Sequence, residues 1–147
     1  MEMHMGLKKR DWALLAIAAA DGKPVSPAKL QKSLFILGME SPENLEDFYR
    51  FEPYNYGPFD AGIYSDAESL ASEGLVEVLH PTGGRWVEYV ATPVGLNAAQ
   101  ELKEKKAGAA GYLKKVVDWT QRVTFQELLR EVYKHYPQYA VNSVFRG

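Results

Sequence analysis

The sequence predicts a single α+β domain of 147 residues, an expectation that rests on three observations. Three segments with helical apolar spacing precede residue 75. Two β-rich runs, LVEVLH and RWVEYVAT, then flank the turn-forming Pro81-Thr82-Gly83-Gly84, and three more helical segments complete the chain.

The elements follow from local chemistry. Lys8–Ala20 reads as a helix through Leu7, Leu14, Leu15 and Ile17, ending at Asp21-Gly22, where glycine accepts the left-handed cap conformation. Ser26-Pro27 opens a second helix, the serine capping free N–H groups and the proline sitting where no donor is needed. Its apolar face is Leu30, Leu34 and Leu37, widened by Phe35 and Ile36, with Gly38 as its expected stop. After an acidic loop, Gly57-Pro58 reads as the start of a third helix carrying Phe59, Ile63, Ala67 and Leu70, closed by Gly74. Thr92-Pro93 starts a fourth, to about Lys105. Ala109–Gln121 and Thr124–Tyr136 are the last two, and Phe125, Leu128, Leu129, Val132 and Tyr136 form one stripe on the final helix.

Three helices followed by a β-hairpin is the plan of a winged helix, here over residues 7–105, with a C-terminal helical extension over 109–147. The phrase YVATPVGLNAA, a strand running into a Thr-capped helix, resembles the end of many winged-helix domains.

Composition sets limits on function. Hydrophobic residues make up 46% and charged residues 24%, as in ordinary globular proteins. There is no cysteine, which excludes disulfides, thiol nucleophiles and thiolate metal sites. The apolar run Trp12–Ala20 is too short to span a bilayer, and the N-terminus lacks the order of a signal peptide, so a cytoplasmic protein is expected. The net charge of −2 conceals a segregation: residues 1–39 carry +3, residues 40–90 carry −9 and residues 91–147 carry +4. So acidic a middle repels phosphate and attracts basic surfaces.

The stretch FEPYNYGPFD (Phe51–Asp60) concentrates four aromatics and two prolines. Base-stacking platforms pair aromatics with Lys or Arg, and neither occurs from Phe51 to Gly84. The stretch is therefore expected to be mainly architecture, with Phe51, Tyr56 and Phe59 packed beneath the third helix. Tyr54, Asp60, Tyr64, Asp66, Glu68, Glu73 and Arg85 are the candidate partner-binding residues, on the third helix and the wing. An alternative nucleic-acid face would use Lys29, Lys32, Lys103, Lys105 and Lys106, and converging Lys8–Arg10, Lys114 and Lys115 would extend it. No catalytic, cofactor or metal site is expected. His4, His80 and His135 stand apart, and Glu131 with His135 reads as a helical i,i+4 pair. The last helix's stripe is expected to complete the chain's own core, a homodimer face being the alternative.

Three phrases, PAKLQKSLFIL, Tyr56-Gly57-Pro58-Phe59 and IYSDAESLASEGLVEV, resemble the SocA-like, Panacea domain family over roughly Leu14–Val90. YKHYPQYAVNS resembles the end of some relatives. The resemblance implies a winged-helix-like bacterial domain acting without catalysis as an antitoxin or proteolytic adaptor, its partner a toxin or another basic protein. A DNA-binding regulator is the alternative.

Overall fold

A computed structural model describes residues 6–145, so His4 lies outside the described residues. Helix α1 (Lys9–Ala18) is the centre of the molecule, and Trp12 through Ala18 are buried on every side. Asp11 turns back to accept the Lys8 N–H at 2.8 Å, closing the first turn. The helix stops as expected at Asp21 and Gly22, both at positive φ (56° and 86°). Lys114 Nζ seals that end by donating to the Ala19 carbonyl and the Asp21 carboxylate, each at 2.7 Å, which places a cation on the negative end of the helix dipole.

Helix α2 (Pro27–Glu40) is capped by Ser26 Oγ, which accepts the Lys29 N–H at 3.2 Å. It runs past the expected stop at Gly38. That glycine serves packing instead: a Cβ there would sit 2.8 Å from the Phe48 ring.

The aromatic stretch departs most from expectation. Gly57–Phe59 is not a helix start but a short strand, β2, paired antiparallel with β1 (Glu52–Tyr54). Pro53 faces Pro58 across the pair, so the two residues without a donor share the position that needs none. Gly57, at φ 95°, closes the two-residue turn Asn55-Tyr56. Helix α3 (Gly62–Ser72) follows, its first turn held by Asp60, which accepts the Gly62 N–H at 2.7 Å.

Strands β3 (Val76–Leu79) and β4 (Glu88–Ala91) form the expected hairpin, and Val25, between α1 and α2, bridges Tyr89 of β4 through two backbone hydrogen bonds of 2.8 and 2.9 Å. Thr92 caps α4 (Pro93–Leu102), accepting the Gly95 N–H at 3.0 Å. The helix ends three residues earlier than expected, tightening into a 3-10 turn over Lys103–Lys106. Helices α5 (Ala107–Arg122) and α6 (Phe125–His135) match the two expected C-terminal helices closely, and a 3-10 turn over Pro137–Ala140 follows. Thr124 and Glu127 form a reciprocal capping box at the start of α6.

The main core gathers α1, the apolar faces of α2 and α3, the sheet residues Val76, Tyr89 and Ala91, and Ala109, Leu113 and Val117 of α5. Helix α5 therefore belongs to the core rather than to an appendage. It lies antiparallel along α2, tied by a buried Ser33–Thr120 hydroxyl pair at 2.9 Å and, at the far end, by Glu43 accepting the Ala109 N–H at 2.8 Å. A second cluster forms where Leu128 and Val132 of α6 meet Phe35 of α2, ringed by Phe51, Trp119, Tyr136 and Tyr139. Among the described residues no helix is long and apolar enough to cross a membrane.

Candidate protein-interaction surface

The two sequence motifs at Lys29–Lys32 and Tyr56–Phe59 meet in space. Gln31, fully buried, uses its amide as a backbone mimic: Nε2 donates to the Asp60 carbonyl at 2.9 Å, and Oε1 accepts the Asp60 N–H at 3.0 Å. This clamp fixes the end of β2 against α2. One residue on, Lys32 is 4% exposed and makes no hydrogen bond or ion pair to a described residue. Its Cε packs against the backbone of Gly57, beside Leu129 and Tyr133 of α6. Burial lowers its ammonium to a pKa of about 8.

Held this way, the β1–β2 hairpin carries its aromatics outward. Glu52 and Tyr54 lie two residues apart on β1 and are both exposed. Tyr54 stacks on Phe59 at 5.0 Å, and Phe59 meets Tyr64 of α3 edge-on at 5.5 Å. Tyr56, at the turn and 49% exposed, lies across the edge of Phe125 at the start of α6. Of the three rings expected beneath α3, Phe59 meets that helix through Tyr64. Phe51 packs on Phe35 of α2, and Tyr56 stands outside the core because the hairpin carries the turn away from α3.

The acidic candidates divide into groups with different roles. Asp60 precedes α3 and is spent on backbone donors, those of Gly62 and, at 2.8 Å, of Arg50. Asp66 accepts the Tyr49 hydroxyl at 2.5 Å, and burial together with this carboxylate pushes that phenol well above its usual pKa. Glu73 takes a bidentate pair from Arg10 at 2.6 and 2.7 Å, and these hydrogen bonds hold its carboxyl below the ordinary range. These three are therefore not the free outward carboxylates that the helical spacing suggested. Glu40, Glu43 and Asp47 are also engaged, by the Tyr136 hydroxyl and by the backbones of Ala109 and Lys9. Most of the acidic segment thus holds the fold together. Glu68 is exposed and its carboxylate makes no hydrogen bond or ion pair to a described residue, and the same is true of the Glu52 carboxylate, which spacing alone did not single out. Tyr64 is half-buried, its hydroxyl pKa raised by that burial, and Arg85 is exposed in the β3–β4 turn. Beside it, Trp86 is 72% exposed, the most exposed large apolar side chain among the described residues. Its signal in the sequence was a tryptophan two residues after a double glycine.

The basic candidates do not share one face. Lys32 is buried and cannot meet a phosphate. Lys29 sits in the first turn of α2, partly buried, and that burial lowers its pKa. Lys106 bonds the Asn44 carbonyl just past the other end of the same helix, and Lys103 and Lys105 lie in the same 3-10 turn. The helix from Lys29 to its end at Glu40 alone spans roughly 16 Å at 1.5 Å per residue. Lys114 is committed to Asp21 and Asp118.

Neither histidine described belongs to a cluster. His80 follows β3 and is exposed, while His135 Nε2 pairs with Glu131 at 3.4 Å, the expected i,i+4 contact. A shallow groove of about 500 Å³ between α2, α5 and α6 is lined by Glu40, Trp119, Glu131 and His135. Among the described residues no three His, Asp or Glu side chains are placed to hold a metal ion. Most of the α6 stripe is spent internally, Leu128, Leu129 and Val132 being buried and Tyr136 half-buried against Phe35, while Phe125 is left exposed. The chain matches no family model, and no curated protein matches it in sequence.

Proposed function

We propose that this chain is a noncatalytic protein-binding module whose contact surface is centred on the β1–β2 hairpin. The observation that carries the reading is the exposure of Tyr54 and Tyr56 on a hairpin clamped from behind by Gln31. Rigidly held tyrosines offer large contact area at little entropic cost, and such rings dominate binding energy at interfaces. Trp86 at the second hairpin is an additional anchor of the same kind. The scaffold reading is a winged helix, supported by the β3–β4 hairpin that follows the third helix and by the isolated bridge through which Val25, between α1 and α2, pairs with Tyr89 of β4. The likeness to Panacea domains supports an antitoxin- or adaptor-like role. The DNA-binding alternative draws little support from a buried Lys32 and basic residues placed at opposite ends of α2.

The test is capture of the partner from native lysate by tagged protein, with and without nuclease, set beside a Tyr54→Ser/Tyr56→Ser variant. A stoichiometric protein should survive nuclease and bind the variant at least tenfold more weakly, while circular dichroism shows the fold unchanged. A catch that disappears with nuclease would transfer the function to the basic residues.

A further inference from the structure

The hairpin face carries more than exposed rings. Glu52 is the cross-strand partner of Phe59, so its side chain lies on the same face as Phe59 and Tyr54. Tyr54, Phe59 and Tyr64 make a continuous row with successive centroids 5.0 and 5.5 Å apart. Glu68 stands one helical turn beyond Tyr64 on α3, its charge acting on Tyr89 from there. One carboxylate thus lies beside the Tyr54 and Phe59 rings and another one turn beyond Tyr64, and neither is neutralised by a described residue. The contrast with Asp60, Asp66 and Glu73, each committed to an internal donor, marks these two as different. The nearest cation in the sequence, Arg50, precedes the hairpin, and no other Lys or Arg occurs until Arg85.

Resting on the protein-binding reading, we propose that this face receives an arginine- or lysine-bearing segment of the partner, a basic side chain lying on the Tyr54 ring beside Glu52, with Glu68 adding its charge at the other end of the row. The electron-rich ring face attracts a cation, guanidinium most often, and a flanking carboxylate supplies the charge-assisted hydrogen bond that fixes it. An acidic or purely apolar partner would leave both carboxylates unpaired or repelled, so the charge complementarity selects the basic occupant.

The test uses defined peptides: a blocked, arginine-bearing decapeptide, the same peptide with citrulline in place of arginine, and one with glutamate. Titrations into the full chain at low salt would be followed by two-dimensional NMR. The arginine peptide should shift the resonances of Tyr54, Phe59 and Tyr64, and citrulline should weaken binding at least tenfold. Glu52→Gln/Glu68→Gln should weaken it by a similar factor and remove most of its salt dependence, and Tyr54→Leu should weaken it without changing that dependence. Equal binding of the citrulline peptide, shifts confined to another face, or no binding at millimolar peptide would overturn the proposal. If the peptides fail while the Tyr54→Ser/Tyr56→Ser variant still loses its captured partner, the binding module stands and only the basic class of partner falls.

Discussion

Lys32 shows at the scale of one residue how a charged side chain can be misread from sequence. Its place in a Lys-rich helix suggests a solvated cation, yet tertiary packing buries it beside Gly57 and α6 without a counter-charge. Its folded pKa of about 8 lies below the 10.5 of a lysine in water, so folding disfavours the protonated form. Below pH 8 both states carry the proton and the full penalty applies. Between pH 8 and 10.5 the unfolded chain binds the proton that the folded chain releases, so stability rises with pH in that window. The difference corresponds to about 3 kcal/mol. Lys32→Met should therefore stabilise the protein at pH 7 by up to about this amount, with an advantage that shrinks as pH climbs towards 10; urea denaturation at several pH values checks both. Gln31 is the opposite case, a buried polar group with both amide atoms satisfied. Gln31→Leu leaves the Asp60 N–H and carbonyl without their partners and should cost about 2–4 kcal/mol, seen as a lowered denaturation midpoint.

At the scale of elements, local signals worked where they satisfied backbone donors. Ser26, Thr92 and Thr124 all cap the helices they were expected to start. Thr124→Ala should cost about 1 kcal/mol by losing its half of the capping box, measurable by thermal denaturation. Gly-Pro at 57–58 misled because the same pair suits a hairpin, and the choice was made by Gln31, twenty-six residues earlier in the chain. Gly95 shows a further constraint that spacing hints at but does not explain. A Cβ there would lie 1.9 Å from the Leu75 carbonyl oxygen, where the N-terminus of α4 crosses the start of the β3–β4 hairpin. Backbone cannot move aside as a flexible side chain can, so Gly95→Ala should destabilise by about 2–4 kcal/mol, read from chemical denaturation with the chain's helix content retained below the transition.

At the scale of the whole molecule, the packing predicts one cooperative unit. Helix α5 supplies Ala109, Leu113 and Val117 to the main core, and α6 covers Phe35. A chain shortened to residues 6–106 would expose α1 and α2 along the faces that α5 now covers. It should therefore show no cooperative unfolding transition and should bind hydrophobic dyes. The full chain should unfold in one step, with amide exchange protection in α1, α2 and α5 lost together. A stable, cooperative 6–106 fragment would restore the division at the fourth helix.

Periodicity, caps and turn residues in the sequence were sufficient to establish the six helices, the β3–β4 hairpin and the α+β class, because each depends on contacts within a few residues. The charge segregation was legible too, but its meaning was not. Whether a carboxylate is free or engaged depends on which donor lies opposite, and for Asp60, Asp66 and Glu73 at least one such donor comes from outside their own helix. Only the tertiary structure separated these from Glu52 and Glu68, buried Lys32, and turned Tyr54 and Tyr56 outward. Burial and pairing are properties of the assembled surface, and no short stretch of chain contains them.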